Sequence, residues 1–227
     1  MAALPASSTG RLSLTADAST ARSDPAAPTP DRTATLRERL RRDTRTEHEA
    51  LDARFAGMFA EPGLPRYRNF LAMNLAAHRA IEPVLAVSPL VGLGWSPDGR
   101  LEALEQDAAD LDLEVETAAF PLDAPSRAEA FGMAYVLEGS RLGARFMAKA
   151  LQPTHDGPRN AMPVAYLEVS SDPAPFRTLL TAMADAGLSE DEETRSILAA
   201  DETFRFFRKI LDRGEARAAA HQGVASR

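Results

Sequence analysis

The stretch Phe131 to Leu151, FGMAYVLEGSRLGARFMAKAL, has the spacing of one long helix, yet it is built against helix propensity. Ser126 and Glu129 supply an S-x-x-E capping box ahead of it, and Pro153 stops it. Between them lie Gly132, Gly139 and Gly143. Each interior glycine costs about 1 kcal/mol relative to alanine, so the three cost roughly 3 kcal/mol, a large part of an ordinary domain's margin. At ~100° per residue, Gly139 falls about 20° from Gly132 around the axis, and Gly143 about 40° from Gly139. Val136 and Ser140 flank that face. One side of the helix is therefore bare backbone with a single hydroxyl, and something must lie flat against it. A close helix crossing is one candidate, because Gly139-Ser-Arg-Leu-Gly143 is a small-xxx-small spacing. A flat ligand that needs contact with backbone is the other.

Composition narrows the choice of ligand. With 227 residues and 44% hydrophobic content, the chain can bury one good core, so a single domain is expected. The formal charge of -7 argues against nucleic acid as a partner. There is no cysteine, which excludes disulfides and thiolate metal sites. Any metal must be held by His, Asp, Glu or Met. No apolar run approaches the ~20 residues of a membrane span. The first residues lack a charged start followed by an apolar core, so no secretory signal is expected and a cytoplasmic setting fits best.

The hydrophobic periodicity predicts an all-α protein of roughly seven helices, with no alternating stretch that reads as a strand. Residues 1–33, rich in Ala, Ser, Thr and Pro, read as a disordered tail. The folded domain is expected over 34–214, and 215–227 as a frayed end. Helix one is predicted at about 34–56, opened by a Thr35/Glu38 capping box. Its stripe is Leu36, Leu40, Thr44, Leu51 and Phe55, with His48 in the same stripe and Asp52 as its i+4 neighbour. Arg37, Arg39, Arg41, Arg42 and Arg45 make its first half basic. A break at Pro62, Gly63 and Pro65 precedes helix two, about 66–87, and helix three spans about 98–114. After a loop at 153–158, a short helix is expected at about 159–169 and another at 173–186, capped by Gly187. A Ser189/Glu192 box opens the last helix, expected to end near residue 214.

The chemistry-bearing residues are few. Of the histidines, His155 falls in a loop, His221 in the tail, and His78 on helix two in a structural position. His48 alone occupies an apolar stripe, as a core histidine or as a ligand. Only Asp52 lies at metal-pair spacing from it, and the repeated E-x-x-H of di-iron bundles is missing. No strand-turn-helix nucleophile elbow appears. The inventory does allow one axial histidine, a glycine-rich helix opposite it, and arginines at the rim. That set suits haem, with a single proximal imidazole on iron, the macrocycle on bare backbone and guanidinium groups on the propionates.

Taken together, these residues resemble the haem oxygenase family, and within it the bacterial biliverdin-producing branch that accompanies bacteriophytochromes. Leu40-Arg-Arg-Asp-Thr-Arg-Thr-Glu-His48-Glu-Ala-Leu-Asp52 is similar to the family's proximal helix, L-R-x-x-T-x-x-x-H-x-x-x-[DE]. Tyr135-Val-Leu-Glu-Gly139-Ser-Arg-Leu-Gly143-Ala is similar to its distal helix, Y-V-L-E-G-S-x-L-G-G, and Ala200-Asp-Glu-Thr-Phe204 to its A-x-x-x-F element. The likeness covers roughly residues 35–212. Ala144 replaces the frequent second glycine, which should narrow the distal side by a methyl. Ser140 stands where the animal enzymes carry a distal aspartate.

The resemblance implies a single-domain haem-oxygenase-like bundle holding haem between proximal and distal helices. It implies His48 as the iron ligand, with Asp52 or Thr44 orienting its ring. It places Gly139, Ser140 and Gly143 at the reacting side. Arg41, Arg45, Thr44, Tyr135, Val136 and Ala144 line the bound haem. Arg141, Arg145, Lys149 and Arg177 are further candidates for the propionates. The implied reaction opens haem with dioxygen and external electrons, giving biliverdin, carbon monoxide and ferrous iron. A ferredoxin or flavoprotein reductase would supply the electrons, and a bacteriophytochrome could accept the biliverdin. The competing expectations are a non-catalytic helical protein that binds haem or a partner in the same groove, and a scaffold whose glycines only permit tight crossing.

Overall fold

A computed structural model of the chain describes residues 34–58, 65–150 and 162–225, with side chains defined as far as 149 and 220 in the last two stretches. The expected tail at 1–33, the break at Pro62 and Gly63, the loop carrying His155 and the side chain of His221 lie outside the described residues. Among the described residues eight α-helices run in the order α1 (Leu36–Asp43), α2 (Arg45–Arg54), α3 (Pro65–Leu85), α4 (Arg100–Asp110), α5 (Arg127–Ala150), α6 (Ala165–Ser170), α7 (Ala174–Asp185) and α8 (Glu190–Ala225). One 3-10 turn, Val91–Leu93, sits between α3 and α4. Among the described residues there is no strand, and the fold is all-α.

The three helix starts with S/T-x-x-E boxes are built as the sequence predicts. The Thr35 N–H donates to the Glu38 carboxylate at 2.8 Å, and the Glu38 N–H donates to Thr35 Oγ1 at 3.3 Å. Ser126 with Glu129 and Ser189 with Glu192 repeat the exchange at α5 and α8. Each box satisfies two amide groups that a helix start leaves without partners. Gly187, at φ +57°, follows the end of α7 in the left-handed region where glycine is unstrained.

Four boundaries differ from the sequence reading, one being the short helix expected at about 159–169, which is α6 over Ala165–Ser170. Helix one is two helices, because Thr44 stands at φ -94°, ψ 2° between α1 and α2. Its buried hydroxyl donates to the Leu40 carbonyl at 2.7 Å, a back-bond that competes with the regular ladder and bends the chain. Helix α4 starts after Gly99 and ends at Leu111, whose carbonyl is taken by Arg68 at 2.8 Å. Helix α8 continues through Ala225, past the end expected near residue 214.

Two hydrophobic clusters hold the bundle. The larger joins Leu36 and Leu40 of α1, Ile81 and Leu85 of α3, Phe131 and Leu137 of α5, Phe176 and Leu179 of α7, and Phe204, Phe207 and Leu211 of α8. The smaller joins Tyr67, Leu71 and Leu75 of α3 with Leu104 of α4, Ala144 of α5, and Tyr166 and Leu167 of α6. Helix α5 runs through both, and half-buried Phe55 and Phe70 pack on both. Helix α2 contributes no buried residue. It lies on the outside of the bundle against α8.

Candidate functional site

The glycines of α5 divide into two kinds once their neighbours are known. A Cβ on Gly132 would stand 2.0 Å from the Ser196 carbonyl oxygen and 2.9 Å from the Ala200 nitrogen. Backbone fills that position, so Gly132 is the tight crossing of α5 with α8. A Cβ on Gly139 would meet nothing within 4 Å, and one on Gly143 only the methyl end of Met147, 3.9 Å away. The closed glycine and the open glycines lie on one side of one helix, so the helices part beyond the crossing. Arg127 lies by Glu192, Glu129 by Arg195, and Gly132 against Ser196 and Ala200, so α5 and α8 run in the same sense there. Gly139 is then about 10 Å further along α5, and Phe204 about 12 Å beyond Ser196 along α8.

His48 stands on Phe204. The two rings meet edge to face with centroids 5.6 Å apart. The imidazole is 58% exposed, and its Nδ1 lies 3.1 Å from the Asp52 carboxylate. That contact engages Nδ1 and leaves Nε2, the other ring nitrogen, outside it. Thr44 does not share this task, since its hydroxyl is committed to Leu40. The expected apolar stripe around His48 is half-buried at Leu51 and Phe55 and open at His48 itself.

The open face of α5 carries apolar groups left in solvent. Phe146 is 78% exposed and Leu142 51%. Phe146 falls about 20° from Gly139 around the axis, so the bare backbone is bordered by uncovered hydrocarbon. Tyr135, one turn earlier, packs on Phe176 of α7 with centroids 5.9 Å apart. Burial raises its phenol pKa, and the charges of Arg37 and Arg41 oppose that rise. Arg37 and Arg41 of α1 are therefore near enough to act on Tyr135 of α5. Arg37 and Arg41 have no ion-pair partner among the described residues. Arg45 is exposed and lies 3.8 Å from Glu49.

Other expected site residues point elsewhere. Val136 is buried in the larger cluster. Ala144 is buried in the smaller cluster, so its methyl fills core rather than narrowing the open face. The hydroxyl of Ser140 is half-buried and donates to the Leu137 carbonyl at 2.7 Å. Arg141 is buried, bonded to Glu138 at 2.6 Å and to Asp98, with a further bond to the Val169 carbonyl. It is therefore unavailable to a propionate, whereas Arg145 and Lys149 are exposed.

Sequence reasoning missed Arg37 as a partner of Tyr135, and it missed the apolar border. The border was legible, because Leu142 and Phe146 share the glycine side at helical spacing. The Arg37 position was not, because it depends on how α1 meets α5.

These residues fit a flat, apolar, anionic ligand with a metal at its centre. One imidazole offers a ligand, open backbone and exposed hydrocarbon offer a wall, and unpaired guanidinium groups offer a rim. Among the described residues no cluster of three or more His, Asp or Glu could hold a bare ion instead.

No model of a known protein family matches the chain. It is 36% identical over 123 residues to a protein of Xanthomonas campestris pv. campestris (strain 8004) named heme oxygenase, covering 54% of this chain and 73% of that one. Its fold is similar to the NO- and CO-bound heme oxygenase of Neisseria meningitidis, with a TM-score of 0.52 and 25% identity, covering 78% of this chain and 90% of the other.

Proposed function

The chain belongs to the haem oxygenase family, and we propose from that premise that it cleaves haem oxidatively to biliverdin, carbon monoxide and ferrous iron. The observation that carries this reading is the contrast within α5: Gly132 is closed by backbone while Gly139 and Gly143 face open space. A scaffold that used its glycines only for crossing would close all three.

Bound haem supplies the iron at which dioxygen is reduced and the macrocycle that is cut. The chain supplies placement. His48 would hold the haem iron, with Asp52 on its Nδ1 and the Phe204 ring edge-to-face against it keeping the imidazole in place. The bare backbone at Gly139 and Gly143 would leave room for a small molecule beside the bound haem, and Phe146 and Leu142 would exclude water once covered. Arg41 and Arg45, with Arg37 added, hold the propionates and set the in-plane orientation. Ser140 keeps its hydroxyl on the Leu137 carbonyl, on the side of buried Tyr166, and adds no bulk to the glycine face. Electrons come from an external ferredoxin or flavoprotein reductase. The basic first turns of α1 offer it a docking surface, and a bacteriophytochrome is a candidate acceptor for the biliverdin. A cytoplasmic setting agrees with this supply of reductant. No helix among the described residues is long and apolar enough to cross a membrane.

Hemin titration tests the reading. Stoichiometric uptake with a Soret band is expected, followed by loss of that band and release of biliverdin when reductant is added under air. His48→Ala is expected to lose the ordinary axial ligation and most turnover. Intact haem after supply of oxygen and electrons to the wild-type chain overturns the enzyme reading. Identifying the biliverdin isomer after one turnover then assigns the meso carbon.

A further inference from the structure

The histidine proposed as the iron ligand sits on a helix with no fully buried residue, which raises the question of what holds it still. The α8-facing stripe of α2 is Glu47, Leu51 and Arg54, at i, i+4 and i+7. Leu51 is only half-buried. Arg54 donates to Asp212 at 2.8 Å and also bonds Glu215. Glu47 has the most enclosed charged side chain of the helix, with 17% exposure against 58% for His48. Its carboxylate accepts from Arg208 at 2.5 Å and lies 3.9 Å from Arg205, which Asp201 holds at 2.6 Å.

We propose that Glu47 is a positioning residue for His48: its carboxylate, held by Arg208 and Arg205, fixes the roll of α2 on α8 and so the direction of the ligating imidazole. The inference rests on the haem reading above. Glu47 and His48 are neighbours, so their side chains leave the axis about 100° apart. Their supports on α8, Arg208 and Phe204, are one turn apart. The carboxylate rests on one and the ring on the other. Two rests at adjacent azimuths define the roll at the His48 end of the helix, nearly two turns before the Arg54 contacts with Asp212 and Glu215. The Asp52 contact does not help here, because Asp52 is on the same helix and moves with His48.

An ordinary surface ion pair contributes little to stability and leaves a neighbouring ligand unchanged. A positioning pair must also change the ligand. The test uses full-length wild type, His48→Ala, Glu47→Gln, Glu47→Arg and the swap Glu47→Arg/Arg208→Glu, each titrated with hemin. The ferrous form is examined for its iron–imidazole stretching band. Glu47→Gln is expected to lower haem affinity roughly threefold to tenfold and to broaden or split the band. Glu47→Arg is expected to do so more strongly, and the swap to restore a single sharp band. Apo-protein melting by circular dichroism, expected within a few degrees of wild type, separates misplacement from unfolding. If the wild-type chain binds haem through His48 while Glu47→Gln keeps its affinity and band, the positioning role fails and the haem reading stands. If the swap melts like wild type yet recovers neither, the positioning role also fails. Absence of haem uptake by wild type overturns both.

Discussion

One methyl group at either of two glycines should have opposite effects on the apo protein. At Gly139 an added Cβ meets no atom within 4 Å, so alanine recovers the helix propensity that glycine forfeits, up to about 1 kcal/mol. At Gly132 the Cβ lands on a backbone carbonyl that no rotamer can move, so alanine is expected to cost about 1–3 kcal/mol or more through overpacking. Urea unfolding of the apo variants checks both signs. Haem turnover checks the counterpart: Gly139→Ala is expected to be the more stable protein and the poorer catalyst, because its methyl enters the space proposed for the reacting oxygen. A stabilised variant with full turnover would place the reacting face elsewhere. The sequence revealed that these glycines share one side of a helix. It could not reveal which is a crossing and which a wall. Gly132 is closed by Ser196, a residue more than a helix away in sequence, and only the path of α8 decides where it meets α5.

Elements of this fold were legible where their signals are local. A capping box is complete within four residues, so the starts of α1, α5 and α8 could be read directly. The break at Thr44 was missed, because the threonine hydroxyl sits equally well by periodicity in a straight helix. The fastening of α4 and its preceding loop to α5 was missed for a different reason. Glu138 and Arg141 are visible as an i,i+3 pair, but their partners Asp98 and Arg100 come from elsewhere. Glu138 accepts from Arg100 at 2.5 Å, from Arg141 at 2.6 Å and from the Trp95 ring nitrogen at 3.1 Å, all three contacts being buried. Burial pushes the Glu138 pKa up, and Arg100 pulls it back. Glu138→Ala leaves two guanidinium groups buried with half their charge compensation gone. The expected loss is about 3–5 kcal/mol, measured as urea-unfolding free energy. A loss under about 1 kcal/mol would mean that Asp98 and the carbonyls of Leu137, Val169 and Asp172 suffice.

For the molecule as a whole, acid should act in two steps, and the first belongs to a histidine that takes no part in the proposed site. His78 lies fully buried, with Nδ1 2.6 Å from Glu82 and its ring edge-on to Tyr166. Nε2 finds no partner. Burial depresses its pKa below the ordinary 6.5, and Glu82 opposes that only in part. In the unfolded chain the imidazole takes a proton near its ordinary value, while the folded chain resists. The unfolded state therefore binds more protons across that interval, and stability must fall as pH drops. The contribution is complete above 6.5 and is lost on acidification toward the depressed folded value. Glu129 and Glu192, whose pKa values are lowered by their serine caps, act in the same direction but only below 4.5. Asp107 and Glu138, raised by burial, act oppositely: the folded state takes up their protons first, so acid stabilises it there. Among these groups His78 alone makes acid destabilising above 4.5. Wild-type urea midpoints are expected to decline from pH 7.5 toward 5.5, and His78→Gln, which keeps a donor for Glu82 but cannot titrate, should flatten that decline. Equal slopes in the two proteins would move the origin of the acid sensitivity to another group.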